Sequence, residues 1–154
     1  MEKVKLTNMC MILNKNTNQV LVQDRIKSWS GITFPGGKLE LGEAVIPSTI
    51  REVFEETGLT VSNLEFCGVK DWYDYKKGER YIVFLLKTSS YTGKLLDETS
   101  EGKVFWTSLD KIEEYNLSPD FLEMLDIFLG KKSEFFYDDS KDDNEEKRWV
   151  KRFY

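Results

Sequence analysis

The hydrophobic pattern changes period several times along the chain, and each change predicts an element. Residues 4–13 (Val4 to Leu13) carry little charge and read as a buried strand. The turn cluster Asn14-Lys15-Asn16-Thr17-Asn18 follows, and Val20-Leu21-Val22 restarts a strand, which predicts a hairpin. Ser28 to Gly37 is a loop punctuated by Gly31, Pro35, Gly36 and Gly37. From about Ala44 to Thr57, Ile46, Ile50, Val53 and Phe54 fall at i, i+4, i+7 and i+8, the apolar stripe of a helix that Gly58 caps. Two strand-like stretches, Val61 to Tyr75 and Arg80 to Thr88, flank the turn Lys76-Lys77-Gly78. Lys103 to Thr107 predicts a further strand, and Ser108-Leu109-Asp110 starts a short helix. Pro119 to Leu129 predicts a packed helix with Phe121, Leu122, Leu125 and Leu129 on one face, ending at Gly130. Strands on both sides of a central helix point to a mixed α/β or α+β domain.

The pattern changes character at the end. Residues 1–130 read as one domain and 131–154 as a C-terminal extension. The extension holds seven acids and seven bases, so the body carries the whole formal charge of −5. Phe135-Phe136-Tyr137 and Trp149-Val150 flank the charged loop Asp138 to Glu146, more aromatic content than a disordered tail would carry. The expectation is a β-hairpin packed on the same domain, or on a second copy in a homodimer.

Composition narrows the chemistry. The chain has 154 residues, the size of one ordinary domain, and 40% are hydrophobic. Its acidic balance argues against a broad surface for duplex nucleic acid. There is no histidine, which excludes a His-bearing zinc site, a Ser-His-Asp triad and a histidine base. Cys10 and Cys67 cannot form a CxxC site, and their scarcity fits a reducing cytoplasm. No apolar run approaches a membrane span, and the start Met1-Glu2-Lys3 is not followed by a signal-peptide core.

The informative positions lie on the central helix. On a helical wheel Glu52, Glu55 and Glu56 fall opposite the apolar stripe, with Arg51 at their edge. Three carboxylates at this spacing repel one another, and the helix dipole disfavours them near its C-terminus. They form either a solvated acidic face or the ligands of a hard divalent cation that also takes substrate phosphates. The preceding loop bears on that choice. From Gly37 the chain runs five residues to Glu43, seven more to Arg51-Glu52-Val53, one to Glu55-Glu56 and one to Gly58-Leu59. Seven fixed positions at this spacing arise by chance in on the order of 1 in 10⁶ chains or fewer.

This spacing resembles the Nudix box, and the chain is similar to the Nudix hydrolases. The resemblance implies an α/β/α sandwich around a central mixed β-sheet, and metal-dependent hydrolysis of a nucleoside diphosphate derivative with Mg²⁺ or Mn²⁺. It implies metal binding by Glu52, Glu55 and Glu56 with the carbonyl of Gly36, while Arg51 and Glu43 orient those side chains and Gly58 closes the helix. Residues 29–40, Trp29 through Gly36-Gly37-Lys38 to Glu40, look like the MutT-type branch, which includes diphosphatases that remove oxidised purine nucleotides such as 8-oxo-dGTP. On that resemblance the substrate is a nucleoside triphosphate and the product its monophosphate. Phe34 then lies near the base, Arg25, Gly37 and Lys38 meet the nucleotide, and Trp72, Tyr73 and Tyr75 are stacking candidates. Asn116 is a candidate reader of the base edge. The general base is Glu101, in a loop it shares with Glu98, or else Glu55. Other Nudix substrates (ADP-ribose, a dinucleoside polyphosphate, capped RNA) and a non-catalytic nucleotide sensor are the alternatives.

Overall fold

The computed structural model describes residues 1–27, 29–138 and 150–154. Strand β1 (Lys3–Asn14) is covered on both faces along Met9–Leu13, which explains the apolar run there. Val4 and Leu6, expected to be buried with it, are exposed. It turns through Asn14–Asn18 into β2 (Gln19–Arg25), where the hairpin is only two residue pairs deep. For most of its length β1 instead lies parallel to β6 (Glu79–Thr88), from Lys3 beside Glu79 to Ile12 beside Thr88. β3 (Gly31–Thr33) and β9 (Gly102–Ser108) pair with β2, and β8 (Glu98–Thr99) with β9. β5 (Glu65–Asp74) lies antiparallel to β6. Among the described residues these strands form one mixed sheet, with a separate pair made of β4 (Leu59–Ser62) and β7 (Ser90–Gly93). Val61 to Tyr75 is therefore two strands in two sheets, divided at Asn63, whose φ of 49° turns the chain out of extended geometry.

The sheet is covered on both sides. Helix α1 (Val45–Thr57) sets Val53 against Cys10, Ile12, Leu21 and Val104. Helix α2 (Phe121–Phe128) packs on the other face against Met11, Val20, Val22, Val83 and Leu85. Between α2 and β9 runs a 3₁₀ turn, Leu109–Glu114, capped by the Ser108 hydroxyl accepting from the Asp110 amide. Among the described residues no helix is long and apolar enough to cross a membrane.

Both helices depart from the expected apolar stripes. On α1, Ile46 and Phe54 are exposed, and the buried residues are Ser48, Thr49, Val53, Glu56 and Thr57. The hydroxyls tolerate burial because Thr49 and Thr57 donate back to the carbonyls of Val45 and Val53, and Ser48 accepts from Asn8. Glu56 thus leaves the exposed outer face assigned to it on the wheel and is buried against the glycine loop, where it accepts from the Gly36 amide. On α2, Leu122 and Leu129 are exposed, while Phe121, Met124, Ile127 and Phe128 are buried. The inner phase is fixed by Phe34, whose ring lies 5.0 Å from Phe121 and 5.1 Å from Phe128.

After Gly130 the chain adds β10 (Glu134–Asp138) alongside β5 in parallel, and β11 (Val150–Phe153) antiparallel to β10. Gly68 permits the approach, since a Cβ there would stand 2.1 Å from the Ser133 carbonyl oxygen. Phe135 is fully buried and stacks on Phe153 at 5.0 Å. Trp149 and the charged loop at 139–149 lie outside the described residues.

Candidate active site

The loop from Phe34 to Lys38 crosses the edge of β1, held by the Cys10 amide donating to the Pro35 carbonyl and the Asn8 amide donating to the Gly37 carbonyl, both at 2.8 Å. Two glycines make this approach feasible. A Cβ on Gly36 would lie 2.2 Å from the Asn8 carbonyl oxygen, and one on Gly37 would lie 2.3 Å from the Glu52 carboxylate. The two substitutions should therefore separate. Gly36→Ala drives a methyl group into the backbone of Asn8 and Met9 and should cost about 1–3 kcal/mol of stability. Gly37→Ala meets only the end of a side chain, so turnover should fall while melting stays near wild type. Thermal melts and turnover measured on both variants check this split.

Arg51 organises the acids. Its Nε and Nη2 donate to the two carboxylate oxygens of Glu43 at 2.9 and 2.8 Å, and Nη2 also donates to the Lys38 carbonyl. Those bonds hold the Glu43 carboxyl down to about 2. Nη1 donates to Glu52 at 2.8 Å and to Glu55 at 3.3 Å. Burial raises the Glu52 carboxyl above its ordinary value although Arg51 opposes the shift. Glu55 stands at the exposed rim. Glu56 is buried and accepts one bond from the Gly36 amide at 2.9 Å. Burial pushes its carboxyl up to about 7, with the charges of Glu52 and Glu101 adding to the shift. Glu101 itself pairs with Lys27 at 3.1 Å and Arg25 at 3.7 Å.

No three acidic, thiol or imidazole groups form a ready-made metal cage among the described residues. The donor set nevertheless fits a hard divalent cation. Glu52, Glu55 and Glu56 are oxygen donors on one helix beside the glycine backbone, and burial together with the neighbouring carboxylates disfavours the charged form of Glu56 although Arg25 opposes the shift. A divalent cation at these oxygens would offset that repulsion.

Beside the acids opens a cleft of about 600 Å³. Of the expected site residues, Arg25, Phe34, Gly36, Gly37, Lys38 and Trp72 line it. The Arg25 guanidinium lies 4.2 Å from the ring of Trp29, another lining residue. Phe34 is both core and cleft floor. Trp72 stacks on Tyr81 at 4.8 Å with the rings 4° from parallel. Tyr73 and Tyr75 do not line the cleft and pack edge to face on each other instead. Strand alternation sends Tyr73 to the opposite side of the sheet from Trp72. Asn116 is exposed and off the cleft, and it contributes its carbonyl to the Ile32 amide. Gly58, at φ 77°, closes α1 by donating to the Phe54 carbonyl.

Sequence reasoning missed Asn8, Lys70, Ser118, Asp120 and Tyr137, all of which line the cleft. Lys70 could have been found from Trp72 two residues on, which shares its face of β5. Asp120 looks like a helix cap, but its φ is 60° and its side chain makes no capping bond. Its carboxylate pairs with Lys70 at 3.1 Å and with Lys151 at 3.2 Å. Asn8 Oδ1 and Ser118 Oγ are buried without a hydrogen-bond partner among the described residues. Buried polar atoms of this kind are rare, and here both border the cleft.

Comparison with known proteins agrees with this architecture. Residues 5–128 match the NUDIX domain family. The Nudix hydrolase YvcI of Bacillus subtilis is 32% identical over 122 residues, covering 77% of this chain and 75% of that protein. An oxidized purine nucleoside triphosphate hydrolase of Danio rerio is 30% identical over 104 residues, covering 68% of this chain and 64% of that protein. The mutator MutT protein from Bacillus halodurans superposes over 97% of both chains with a TM-score of 0.73, at 23% identity. With its glutamate helix, glycine loop and two-faced sheet, the chain belongs to the NUDIX family of hydrolases, in a fold shared with MutT proteins.

Proposed function

We propose that the chain hydrolyses a nucleoside triphosphate to its monophosphate and pyrophosphate, with an oxidised purine nucleotide such as 8-oxo-dGTP as its preferred substrate. One observation carries this reading. A cleft of about 600 Å³ runs from Gly36 and Gly37, the backbone that touches Glu56 and Glu52, to the aromatic and polar groups Trp72, Lys70 and Asp120. The glutamates themselves lie behind this glycine loop and do not line the cleft. That volume suits one nucleotide, with phosphates at the acidic end and base at the aromatic end. Glu52, Glu55 and Glu56, with the backbone at Gly36, would hold Mg²⁺ or Mn²⁺. When bound there, such a cation would supply the positive charge that makes a diphosphate open to attack by water.

The chain's own groups do the rest. Arg51, locked on Glu43, sets the rotamers of Glu52 and Glu55. Arg25 and Lys38 meet phosphate charge, and Trp72 offers its face to the base. Glu101 takes the proton of the attacking water, with Glu55 as the second candidate. The influence of Glu101 on the Glu56 carboxyl supports its closeness to the reacting end. A cytoplasmic location fits two free thiols, Cys10 and Cys67.

Pyrophosphate and phosphate release should be measured over a panel of nucleotides, oxidised purine triphosphates, ADP-ribose, dinucleoside polyphosphates and capped RNA. The expected result is pyrophosphate release that is fastest with an oxidised purine triphosphate. Fastest turnover of ADP-ribose or capped RNA would replace the substrate, and binding without turnover would make the protein a sensor. In ¹⁸O-labelled water, attack at the β-phosphorus puts label in pyrophosphate. Label found only in the monophosphate would mean attack at the α-phosphorus.

A further inference from the structure

The large sheet is not covered evenly. Its cleft face is closed by α2, whereas on the other face α1 makes its main contacts with β1, β4 and β8 and leaves most of β6, β5 and β10 uncovered. The register shows what this open face carries. Leu6 lies beside Ile82, Asn8 beside Phe84 with Val69 next to it, and Leu86 beside Phe66. Strand alternation puts these residues on the side of Cys10, which faces α1. Phe66 is 59% exposed and Val4, on the same face, 46%. The helix extends the surface. The glycine loop bonds one edge of β1 and β6 holds the other, so the flank of α1 turned away from Glu56 and Gly36 overhangs β6. Ile46 and Phe54 lie on that flank, both exposed.

We propose that this open face is the interface of a homodimer, in which two copies stack β6, β5 and β10 face to face about a two-fold axis. The exposed parts of Phe66, Phe54, Ile46, Val4 and Leu6 make on the order of 400 Å² of apolar surface, about half of what each partner buries in a standard interface. Charges of both signs are set into the same face. Asp71 is buried, with one carboxylate oxygen on Arg80 at 2.9 Å and the other without a hydrogen-bond partner among the described residues. Arg80 also takes Glu2, and Arg152 lies beside Phe136, the neighbour of Asp71. Interleaved acids and bases suit a second copy of the same face, because a two-fold axis can set acid against base. A partner of uniform charge would be repelled by half of them. Association through the sheet edges is disfavoured, since the outer strands β8 and β11 are short and β11 carries Lys151 and Arg152. Trp72 and Tyr137 alternate with Asp71 and Phe136, so the cleft opens on the opposite side and each copy keeps its own.

Sedimentation velocity on the full chain from about 1 to about 100 µM tests this. Phe66→Glu and Val4→Glu probe the face, and Leu122→Glu, at an exposed position of α2, is the control. The wild type should be a dimer at the upper end, with a melting temperature that rises with protein concentration. Phe66→Glu and Val4→Glu should stay folded and weaken dimerisation at least about tenfold, whereas Leu122→Glu should remain dimeric. A wild type that is monomeric throughout overturns the proposal, as does a dimer that survives both face variants or dissociates in Leu122→Glu. Should a face variant fail to fold, the wild type alone decides. Hydroxyl-radical labelling of Phe66 should fall from the dilute to the concentrated sample while that of Tyr115, exposed elsewhere, stays constant. Equal labelling of Phe66 in both samples overturns the proposal.

Discussion

Turnover should fall at least ~100-fold when Glu56 is replaced by glutamine, and the protein should become no less stable. Glu56→Gln keeps the shape of the side chain, and its amide oxygen can still accept from the Gly36 amide. It removes the charge that the proposed cation needs. The stability arm follows from proton linkage. The native carboxyl titrates at about 7, whereas its ordinary value is 4.5. Between those values the native state keeps a proton that the unfolded state has lost. Stability contributed by this group is therefore present at low pH and is lost as pH rises through that window, by about 3 kcal/mol. In metal-free protein the variant should thus gain on the wild type as pH rises from 5 to 8, as judged by paired thermal melts. Added Mg²⁺ should recover the wild type and leave the variant unchanged. Chelation with EDTA should take wild-type activity to background. Full activity after chelation, or an active Glu56→Gln protein, would sink the metal-site reading.

Phe135→Ala should destabilise the protein by about 3–5 kcal/mol, the range for deleting a buried phenyl ring. The ring is fully buried, stacks on Phe153 and belongs to the same cluster as Phe34, Phe121 and Phe128. The lost ring leaves a void beside β5, and for a chain of this size the melting temperature should drop by roughly 10 °C or more. Circular dichroism melts check this, with Phe153→Ala expected to cost less because that ring is only half-buried. Wild-type melting in Phe135→Ala would mean that β10 is not held on the sheet.

Local signals in the sequence carried much of this molecule. Spacing alone located the glycine loop, the glutamate helix and the cap at Gly58, because those features depend on neighbours within a few residues. The stripes on α1 and α2 were right at Ile50, Val53, Phe121 and Leu125 and wrong elsewhere, for different reasons. α1 buries hydroxyls that bond their own backbone and a glutamate that bonds Gly36, which a wheel ranked by hydrophobicity cannot show. α2 is apolar on more than one face, and contact with Phe34 sets which one turns inward. The polar end of the cleft was illegible for a different reason. Lys70, Asp120 and Lys151 meet only because β5, α2 and β11 converge, and no local pattern records that meeting. Asp120 also mimicked an ordinary helix start. Tyr137 read as an aromatic of a hairpin, and its position at the cleft follows from a parallel pairing with a strand some sixty residues earlier, a reach that hairpin signals do not encode.

The parallel marriage of β1 to β6 has a consequence for biosynthesis. Thr7 bonds the Ile82 carbonyl across 75 residues of chain, so the first strand emerges from the ribosome long before its main partner exists. During that interval the apolar run Met9–Leu13 can be shielded by the two-pair hairpin with β2, the glycine loop and Val53 of α1, while the edge that β6 will take stays open. Closing so large a loop is entropically slow, which makes β1–β6 docking the natural bottleneck of folding. The growing chain is most exposed to aggregation before that step. β10 can dock only later still, so one wall of the cleft, at Tyr137, forms after the rest of the sheet is in place.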